Sequence, residues 1–295
     1  LIAGFLFFRG MPPDYNFYIY KLKSRAKSLL IPHIFWNAFA LIIFFSLQTL
    51  PFLSGFRSMH TKPIADRNLF ELINNIIGIS HHALAAHQFW FIRDLIVAAI
   101  FSPAFKLLAD RVGVYPLIIL IPAWILKLPS GYVFSSYDAP LFFYIGTLLA
   151  KHDAGLVFID RFGKISLFIF PLLAVTGTIA LSFKLNAQLS IIATQTAIFF
   201  GVFSYWHASS YLPQRPENLL ARLSKYSFFL FAAHDPALFL TMKLCYIKLH
   251  PTGFVPLAAY YLLIPAIEIF FVLCVGFVIG KTLPRFYGVI TGGRQ

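Results

Sequence analysis

Charged and titratable side chains stand inside three apolar stretches of this 295-residue sequence, where they could do chemistry. Arg93 and Asp94 follow each other in QFWFIRDLIVAAIF. His234, with Asp235 beside it, stands in SFFLFAAHDPALFLTMK, and Glu268 stands in PAIEIFFVL. A charge in hydrocarbon is costly unless it is paired or faces water, so each of these groups marks either an interior contact or a functional site.

The Arg93–Asp94 pair has two interpretations. Adjacent helical residues project about 100° apart, so each side chain is expected to find its partner on another helix rather than in its neighbour. Counted along a helix from Lys106, a rise of about 20 Å places Arg93 inside the outer half of the hydrocarbon layer. The pair is either a structural contact between helices or the wall of a polar substrate cavity, and Trp90, one turn earlier, can cover both side chains.

His234 lies near the middle of an apolar stretch about one membrane thickness long. Pro236 has no N–H, so it leaves the carbonyl four residues earlier without its helical hydrogen bond. His234 is therefore expected to face the protein interior, as a structural histidine or as a group that transfers protons or binds substrate. Glu268 is a candidate partner for Arg93 or His234.

The composition indicates a polytopic membrane protein. Hydrophobic residues make up 59% of the chain and charged residues only 12%, against about a quarter charged in soluble domains. In a soluble protein the net charge of +13 would suggest nucleic acid. In this composition it fits basic loops that fix membrane orientation, so no nucleic-acid partner is predicted.

Cysteine and histidine usage predicts neither a disulfide nor a metal site. Cys245 and Cys274 both stand in apolar stretches, which favours small buried side chains. His81, His82 and His87 have a spacing that could hold a metal, but no carboxylate accompanies them.

The apolar runs predict an all-α transmembrane bundle of eight full spans after a partial one. The opening run LIAGFLFF is shorter than the 20 or so residues that a span needs, so the chain is expected to begin midway through a membrane helix. The predicted spans at 114–128 and 139–150 are short enough to be half-helices. All eight are 31–53, 89–109, 114–128, 139–150, 165–183, 188–205, 226–247 and 256–281.

Most of the 24 Lys and Arg residues fall in one alternate set of loops, which predicts that these loops and the C-terminus are cytoplasmic. One of them, 14–30, carries Lys23, Arg25 and Lys27 among bulky apolar residues and predicts a basic helix on the inner membrane surface. This helix either anchors the chain on anionic lipid or binds the phosphates of a cytosolic ligand. On the other side, ELINNIIGIS predicts a short interfacial or re-entrant helix.

Six stretches carry a resemblance: AGFLFF, SRAKSLLIPHIFWN, FWFIRDLI, LFFYIGTLLAK, SKYSFFLFAAHDPAL and LPRFYGVITGGR. Together, and in this order, they resemble the bacterial acyltransferase-3 family of integral membrane O-acyltransferases. FWFIRDL and the segment from SFFLF to HDP are the most specific. The resemblance covers the chain and implies a single membrane acyltransferase domain, 1–295, that lacks the first of about ten helices.

The resemblance implies transfer of an acyl group, usually acetyl from acetyl-CoA, to a sugar hydroxyl of an exopolysaccharide or surface glycan at the bacterial inner membrane. Acyl-CoA is a co-substrate and no bound cofactor is implied. Lys23, Arg25 and Lys27 match the region where the family is expected to meet the CoA phosphates. Arg25 matches the first basic position of the family's Arg-x-x-Arg pattern, and Ser28 stands at the second.

The family's proposed catalytic histidine lies on its first span, whereas AGFLFF matches its second. Residues 1–295 are therefore expected to lack the main catalytic histidine and to be inactive by themselves. Among the groups present, Arg93 would steady the oxyanion or the sugar and His234 would handle a proton. The remaining polar groups, with substrate-binding or structural roles, are Trp90, Asp94 and Glu268.

A transporter or flippase for a glycan or small anion is the main alternative. Charges at the midplane, a helix broken by proline and short spans are also typical of transporters. The lack of an internal inverted repeat favours the enzyme. A non-catalytic membrane scaffold is a further alternative, and transfer of label from acyl-CoA to a glycan would separate the enzyme from both.

Overall fold

The computed structural model of the protein is helical, with no strand among the residues it describes, which are 1–10, 15–49, 63–80, 84–130, 133–151, 155–212 and 219–293. Its helices are α1 (Ile2–Phe8), α2 (Tyr15–Arg25), α3 (Ile31–Thr49), α4 (Leu69–Ile77), α5 (Trp90–Ile100), α6 (Ser102–Arg111), α7 (Leu117–Ile125), α8 (Asp138–Lys151), α9 (Gly155–Ser182), α10 (Ala187–Ser209), α11 (Leu219–Ser224), α12 (Ser227–Leu249), α13 (Phe254–Thr282) and α14 (Pro284–Ile290).

Four helical stretches of the described chain are long and apolar enough to cross a membrane: Asn16–Thr49, Asp160–Ser182, Ala187–Ser209 and Phe254–Thr282. The all-α class and the membrane class predicted from composition are thus confirmed. The other four predicted spans fall on α5 with α6, on α7, on α8 and on α12. Their number as full spans stays a prediction.

The span predicted at 89–109 is two helices rather than one. Helix α5 ends at Ile100 and α6 begins at Ser102. Pro103 has no N–H to give to the Ala99 carbonyl, and the Ser102 hydroxyl donates to that carbonyl instead, at 2.7 Å. The depth estimated for Arg93 assumed one straight helix to Lys106, so that estimate loses its basis.

The basic stretch predicted as a separate surface helix runs directly into a membrane helix. Helix α2 continues through a π turn at Ala26–Leu30 into α3. The π turn has a local cause, because Pro32 cannot donate to the Ser28 carbonyl, and the Ile31 N–H bonds to the Ala26 carbonyl five residues back.

Contacts between Cα atoms divide the chain into two compact units. The first comprises Leu1–Leu22 and Val97–Arg215. Its helices α1 and α8 approach so closely that a Cβ at Gly146 would overlap the Leu1 carbonyl oxygen, and a Cβ at Gly4 would overlap that of Phe143. Small residues at such a crossing are the usual means of close helix packing in membranes.

The second unit comprises Lys23–Ile96 and Pro216–Gln295 and holds every residue predicted to form the site. Its core is apolar and aromatic, with Phe89 fully buried and Trp36 packed edge-on against Phe229. The short helix predicted at ELINNIIGIS is α4, which begins with a capping box between Asn68 and Glu71 and ends at Gly78 in the left-handed conformation. This C-terminal end of α4 reaches the site.

Candidate functional site

Arg93 and Asp94 pair with each other, which corrects the expectation that they would not contact one another. The Arg93 Nη1 atom donates to Asp94 Oδ1 at 2.8 Å, with the Asp94 side chain fully buried. The prediction compared only the directions in which the two Cα–Cβ bonds point. The arginine side chain is long enough to fold back across that angle.

The rest of the Arg93 guanidinium closes the end of helix α4. Its Nε donates to the Gly78 carbonyl at 2.9 Å and its Nη2 to the Ile79 carbonyl at 3.3 Å. The last carbonyls of a helix lack helical partners and carry partial negative charge, so a cation stabilises them. Arg93 therefore joins α5 to the end of α4 inside an apolar core.

His33 holds the neighbouring carbonyl of the same helix end and was not singled out in the sequence. Its Nε2 lies 3.2 Å from the Ile77 carbonyl oxygen, and the side chain is 1% exposed. A carbonyl only accepts, so Nε2 carries the proton in the neutral ring and Nδ1 is left with a lone pair. Within the described chain, Nδ1 has no hydrogen-bond partner.

Asn37, one turn after His33, is the second buried polar residue that sequence reasoning missed. Its side-chain nitrogen donates to the His33 carbonyl at 2.9 Å, and its oxygen accepts from the Ala86 N–H at 3.0 Å. The signal was present in IPHIFWN, where two polar residues stand four apart in an otherwise apolar stretch. Asn37 thereby fixes the chain just before QFWFIRDL.

Gln88 links the two most specific motifs. Pro236 leaves the Ala232 carbonyl without its helical partner, as the sequence indicates, and Gln88 Nε2 donates to that oxygen at 3.0 Å. His234 is half-buried, and its Nδ1 lies 2.8 Å from the Phe231 carbonyl of its own helix. Gln88 stands directly before the FWFIRDL motif, and its role was not predicted.

Glu268 is 5% exposed and faces the interior from α13. In the described part of the chain neither of its carboxyl oxygens has a hydrogen-bond partner. No hydrogen bond or ion pair there joins Glu268 or His234 to Arg93. Trp90 is half-buried and packs against the apolar core.

Lys23 and Lys27 are exposed, whereas Arg25 is half-buried. The C-terminal VITGG stretch packs against this segment, since a Cβ at Gly292 would overlap the Ser28 carbonyl oxygen. The Trp36 indole N–H donates to the Ile290 carbonyl at 2.9 Å and holds the same stretch to α3. Two of the resembling motifs therefore meet beside the basic residues.

Gly292→Ala is expected to detach the C-terminal stretch from the basic segment. The new Cβ would overlap backbone, which cannot move aside as a side chain can, and φ of +68° disfavours alanine. We expect a loss of about 1–3 kcal/mol. The measurement is the thermal midpoint of the purified protein, with Gly293→Ala as the control.

Gly293 makes the control informative because it shares the left-handed backbone, at φ +77°, but has open space around its Cβ position. Equal losses in both variants would show that backbone strain alone acts at Gly292. Our expectation of a tight contact with Ser28 would then be wrong.

Polar groups of the first unit form two smaller clusters. Lys106 and Lys151 both contact Asp110, at 3.0 and 3.4 Å, beside a cavity of about 200 Å³, and the hydrogen bond from Lys106 lowers the pKa of Asp110. His207 Nδ1 lies 3.3 Å from Asp160 and its Nε2 3.2 Å from the Tyr211 hydroxyl. Neither cluster contains a residue predicted from the sequence.

A cavity of about 440 Å³ in the second unit is apolar and is lined by none of the predicted site residues. Its walls come from α3, α12, α13 and α14, among them Trp36, Phe229 and Val272. It suits hydrocarbon rather than sugar, so the polar residues define the candidate site. Among the described residues no group of His, Cys, Asp or Glu could hold a metal, and His81 and His82 lie outside them.

Comparison with known proteins supports the sequence resemblance. Residues 1–284 match the sequence profile of the family described as "Acyltransferase domain". The chain is 24% identical over 299 residues to the succinoglycan biosynthesis protein ExoH of Rhizobium meliloti (strain 1021), an alignment that covers 99% of this chain and 77% of that protein. No solved structure matches.

Proposed function

Since this chain belongs to the acyltransferase-3 family, we propose that it transfers an acyl group, acetyl in the first instance, from acyl-CoA to a hydroxyl of an exopolysaccharide sugar. Its class as a membrane acyltransferase follows from the family match over residues 1–284, which is the observation that carries the proposal. The choice of acceptor is supported by the similarity to a protein of succinoglycan biosynthesis.

In the proposed reaction, a histidine removes the proton of the sugar hydroxyl while the hydroxyl oxygen attacks the thioester carbonyl carbon. The new C–O bond forms, the C–S bond breaks, and the CoA thiolate leaves and takes up a proton. His234 is the candidate for proton transfer among the predicted residues. Arg93 is the candidate for steadying the oxyanion, since a cation held rigidly in a dry interior needs no reorganisation during the reaction.

The proposal includes a membrane arrangement. Eight full spans, an inner-membrane location and a cytoplasmic C-terminus would put Lys23, Arg25 and Lys27 on the side where acyl-CoA is available. Exposed ammonium groups and a half-buried guanidinium are donors that suit phosphate oxygens. A transporter needs no binding site for acyl-CoA, and family membership favours the enzyme.

Transfer of label tests the function. The intact protein in lipid vesicles, given acetyl-CoA labelled in the acetyl group and oligosaccharides of the host's own exopolysaccharide, is expected to yield labelled oligosaccharide. Other acyl-CoA thioesters offered in parallel identify the acyl group. Passage of unlabelled oligosaccharide across the vesicle membrane, with no label transferred, would instead support the transporter.

Removing the basic side chains is expected to weaken the binding of acyl-CoA. Lys23→Ala and Lys27→Ala should each raise the KM for acyl-CoA roughly threefold to tenfold, because each removes a charge-assisted hydrogen bond to phosphate. The KM for the oligosaccharide should stay unchanged. Both constants are measured at low and high salt, since screening should shrink the difference between variant and parent.

Lys164→Ala is the matched control, because Lys164 is also exposed and basic and also stands shortly before a predicted span, 165–183. If it raised the KM for acyl-CoA as much as the two variants do, the basic stretch would have only a general effect of charge.

A further inference from the structure

Three side chains of the second unit carry buried polar atoms that have no hydrogen-bond partner in the described chain. They are His33 Nδ1, Gln88 Oε1 and both carboxyl oxygens of Glu268. A buried polar atom left without a partner costs about 1–3 kcal/mol, and native proteins keep few of them. Such atoms in the interior of an enzyme are candidates for contact with a substrate.

These atoms share a chemical property, because each is a hydrogen-bond acceptor. The His33 Nε2–H is directed to the Ile77 carbonyl, which leaves a lone pair on Nδ1. Gln88 uses its NH₂ group on the Ala232 carbonyl, which leaves its oxygen. The carboxyl group of Glu268 offers oxygen lone pairs as acceptors.

A ligand that satisfies acceptors must bring donors. Sugar hydroxyl groups are donors, whereas the phosphate oxygens of CoA accept at neutral pH and need donors from the protein. Lys23 and Lys27 supply donors on the exposed part of the same unit. The second unit thus carries two complementary sets of groups, one suited to phosphate and one suited to hydroxyls.

We propose that the buried acceptors of the second unit bind hydroxyl groups of the acceptor sugar, with His33 Nδ1 as a positioning group. This assignment rests on the proposed function and deepens it. His33 suits the role because its ring is fixed on two sides. Its Nε2 is tied to the end of α4, and its ring packs edge-to-face against Phe89 at a centroid distance of 5.8 Å.

The position of His33 is further fixed because the end of α4, to which it is hydrogen-bonded, is itself held by several hydrogen bonds. The carbonyls of Ile77, Gly78 and Ile79 are bound in turn by His33 and by the Arg93 guanidinium. A ring fixed in this way presents its lone pair in one direction, which is what the selection of one hydroxyl requires.

His33→Gln separates the proposed role from a structural one. The glutamine amide nitrogen can replace Nε2 as donor to the Ile77 carbonyl, but the lone pair at the Nδ1 position is lost. We expect the KM for the oligosaccharide to rise about tenfold, with the KM for acyl-CoA and the amount of protein in the membrane unchanged. Glu268→Gln should likewise raise only the oligosaccharide KM.

Ser46→Ala is the control on the same helix, because the Ser46 hydroxyl donates only to the Ile42 carbonyl of its own helix. An unchanged oligosaccharide KM in His33→Gln, or equal rises in both KM values, would overturn the assignment.

A measurement of oligosaccharide binding in the absence of acyl-CoA tests the sugar subsite separately from the proposed reaction. The dissociation constant of the oligosaccharide for the purified protein is measured by calorimetry for the parent and for His33→Gln. A parent that binds but transfers no acyl group would contradict the proposed reaction, while a tenfold weaker variant would still support the subsite. Equal dissociation constants would overturn the subsite whatever the activity.

Discussion

Arg93→Met is expected to destabilise the second unit by about 3–5 kcal/mol, the usual cost of breaking a buried ion pair. The variant would take the Arg93 guanidinium away from the fully buried Asp94 carboxylate and remove the donors to the Gly78 and Ile79 carbonyls. We expect little folded protein in the membrane and no acyl transfer. Fluorescence-detected size-exclusion chromatography of a tagged protein measures the amount of folded protein. Transfer of label from acyl-CoA to the oligosaccharide measures the activity.

The double variant Arg93→Met/Asp94→Leu distinguishes structural from catalytic loss. Replacing both members of a buried pair by apolar groups often restores stability. We expect partial recovery of folded protein, limited by the uncapped end of α4, and no recovery of turnover per folded molecule. If turnover returned together with folding, Arg93 would have a structural role only, and the oxyanion would need another donor.

The Arg93–Asp94 pair also shows how far sequence reasoning reaches into the site. The cost of burying charge was enough to predict that both residues face the interior, where they lie. The partners of Arg93 could not be predicted, because arginine has several rotatable bonds. Its backbone acceptors, Gly78 and Ile79, lie on a segment whose distance from α5 the sequence does not encode.

His33 and Gln88 mark the opposite case, in which the sequence contained a signal for each buried polar contact. Pro236 indicates a free carbonyl at Ala232, and a free carbonyl in an apolar interior requires a donor. The partners predicted from the sequence were all charged residues, so the neutral amide of Gln88 was overlooked. His33 stands within a resembling motif but was not weighed as a buried polar residue.

The helices were predictable where the length of an apolar run determines them. They were less predictable where a single hydrogen bond or one small residue determines where a helix ends or how closely two helices pack. Long runs such as that of α13 leave no choice other than a helix in a membrane. The break between α5 and α6 depends on one proline and one serine hydroxyl, and the close crossing of α1 and α8 depends on two glycines. Distances between helices are not readable from periodicity alone.

Gly146→Leu is expected to prevent the crossing of α1 and α8 and with it the folding of the first unit. Even a Cβ at this position would overlap the Leu1 carbonyl oxygen and lie 2.7 Å from the Phe5 nitrogen, and both are backbone atoms. Overpacking of flexible side chains costs about 1–3 kcal/mol, and a clash between backbones should exceed that range. We expect the largest loss of folded protein among the single variants, with Gly146→Ala intermediate.

Gly280→Ala is the matched control, because Gly280 also lies inside a membrane helix but the nearest atom to its Cβ position is 3.7 Å away. At this position alanine should stabilise the helix by up to about 1 kcal/mol, because an alanine loses less backbone conformational entropy than a glycine when it becomes helical. The comparison is made on folded protein recovered after heating in detergent. Similar recovery of Gly146→Leu and Gly280→Ala would mean that α1 and α8 do not need their close approach, and the packing proposed for the two resembling motifs AGFLFF and LFFYIGTLLAK would be wrong.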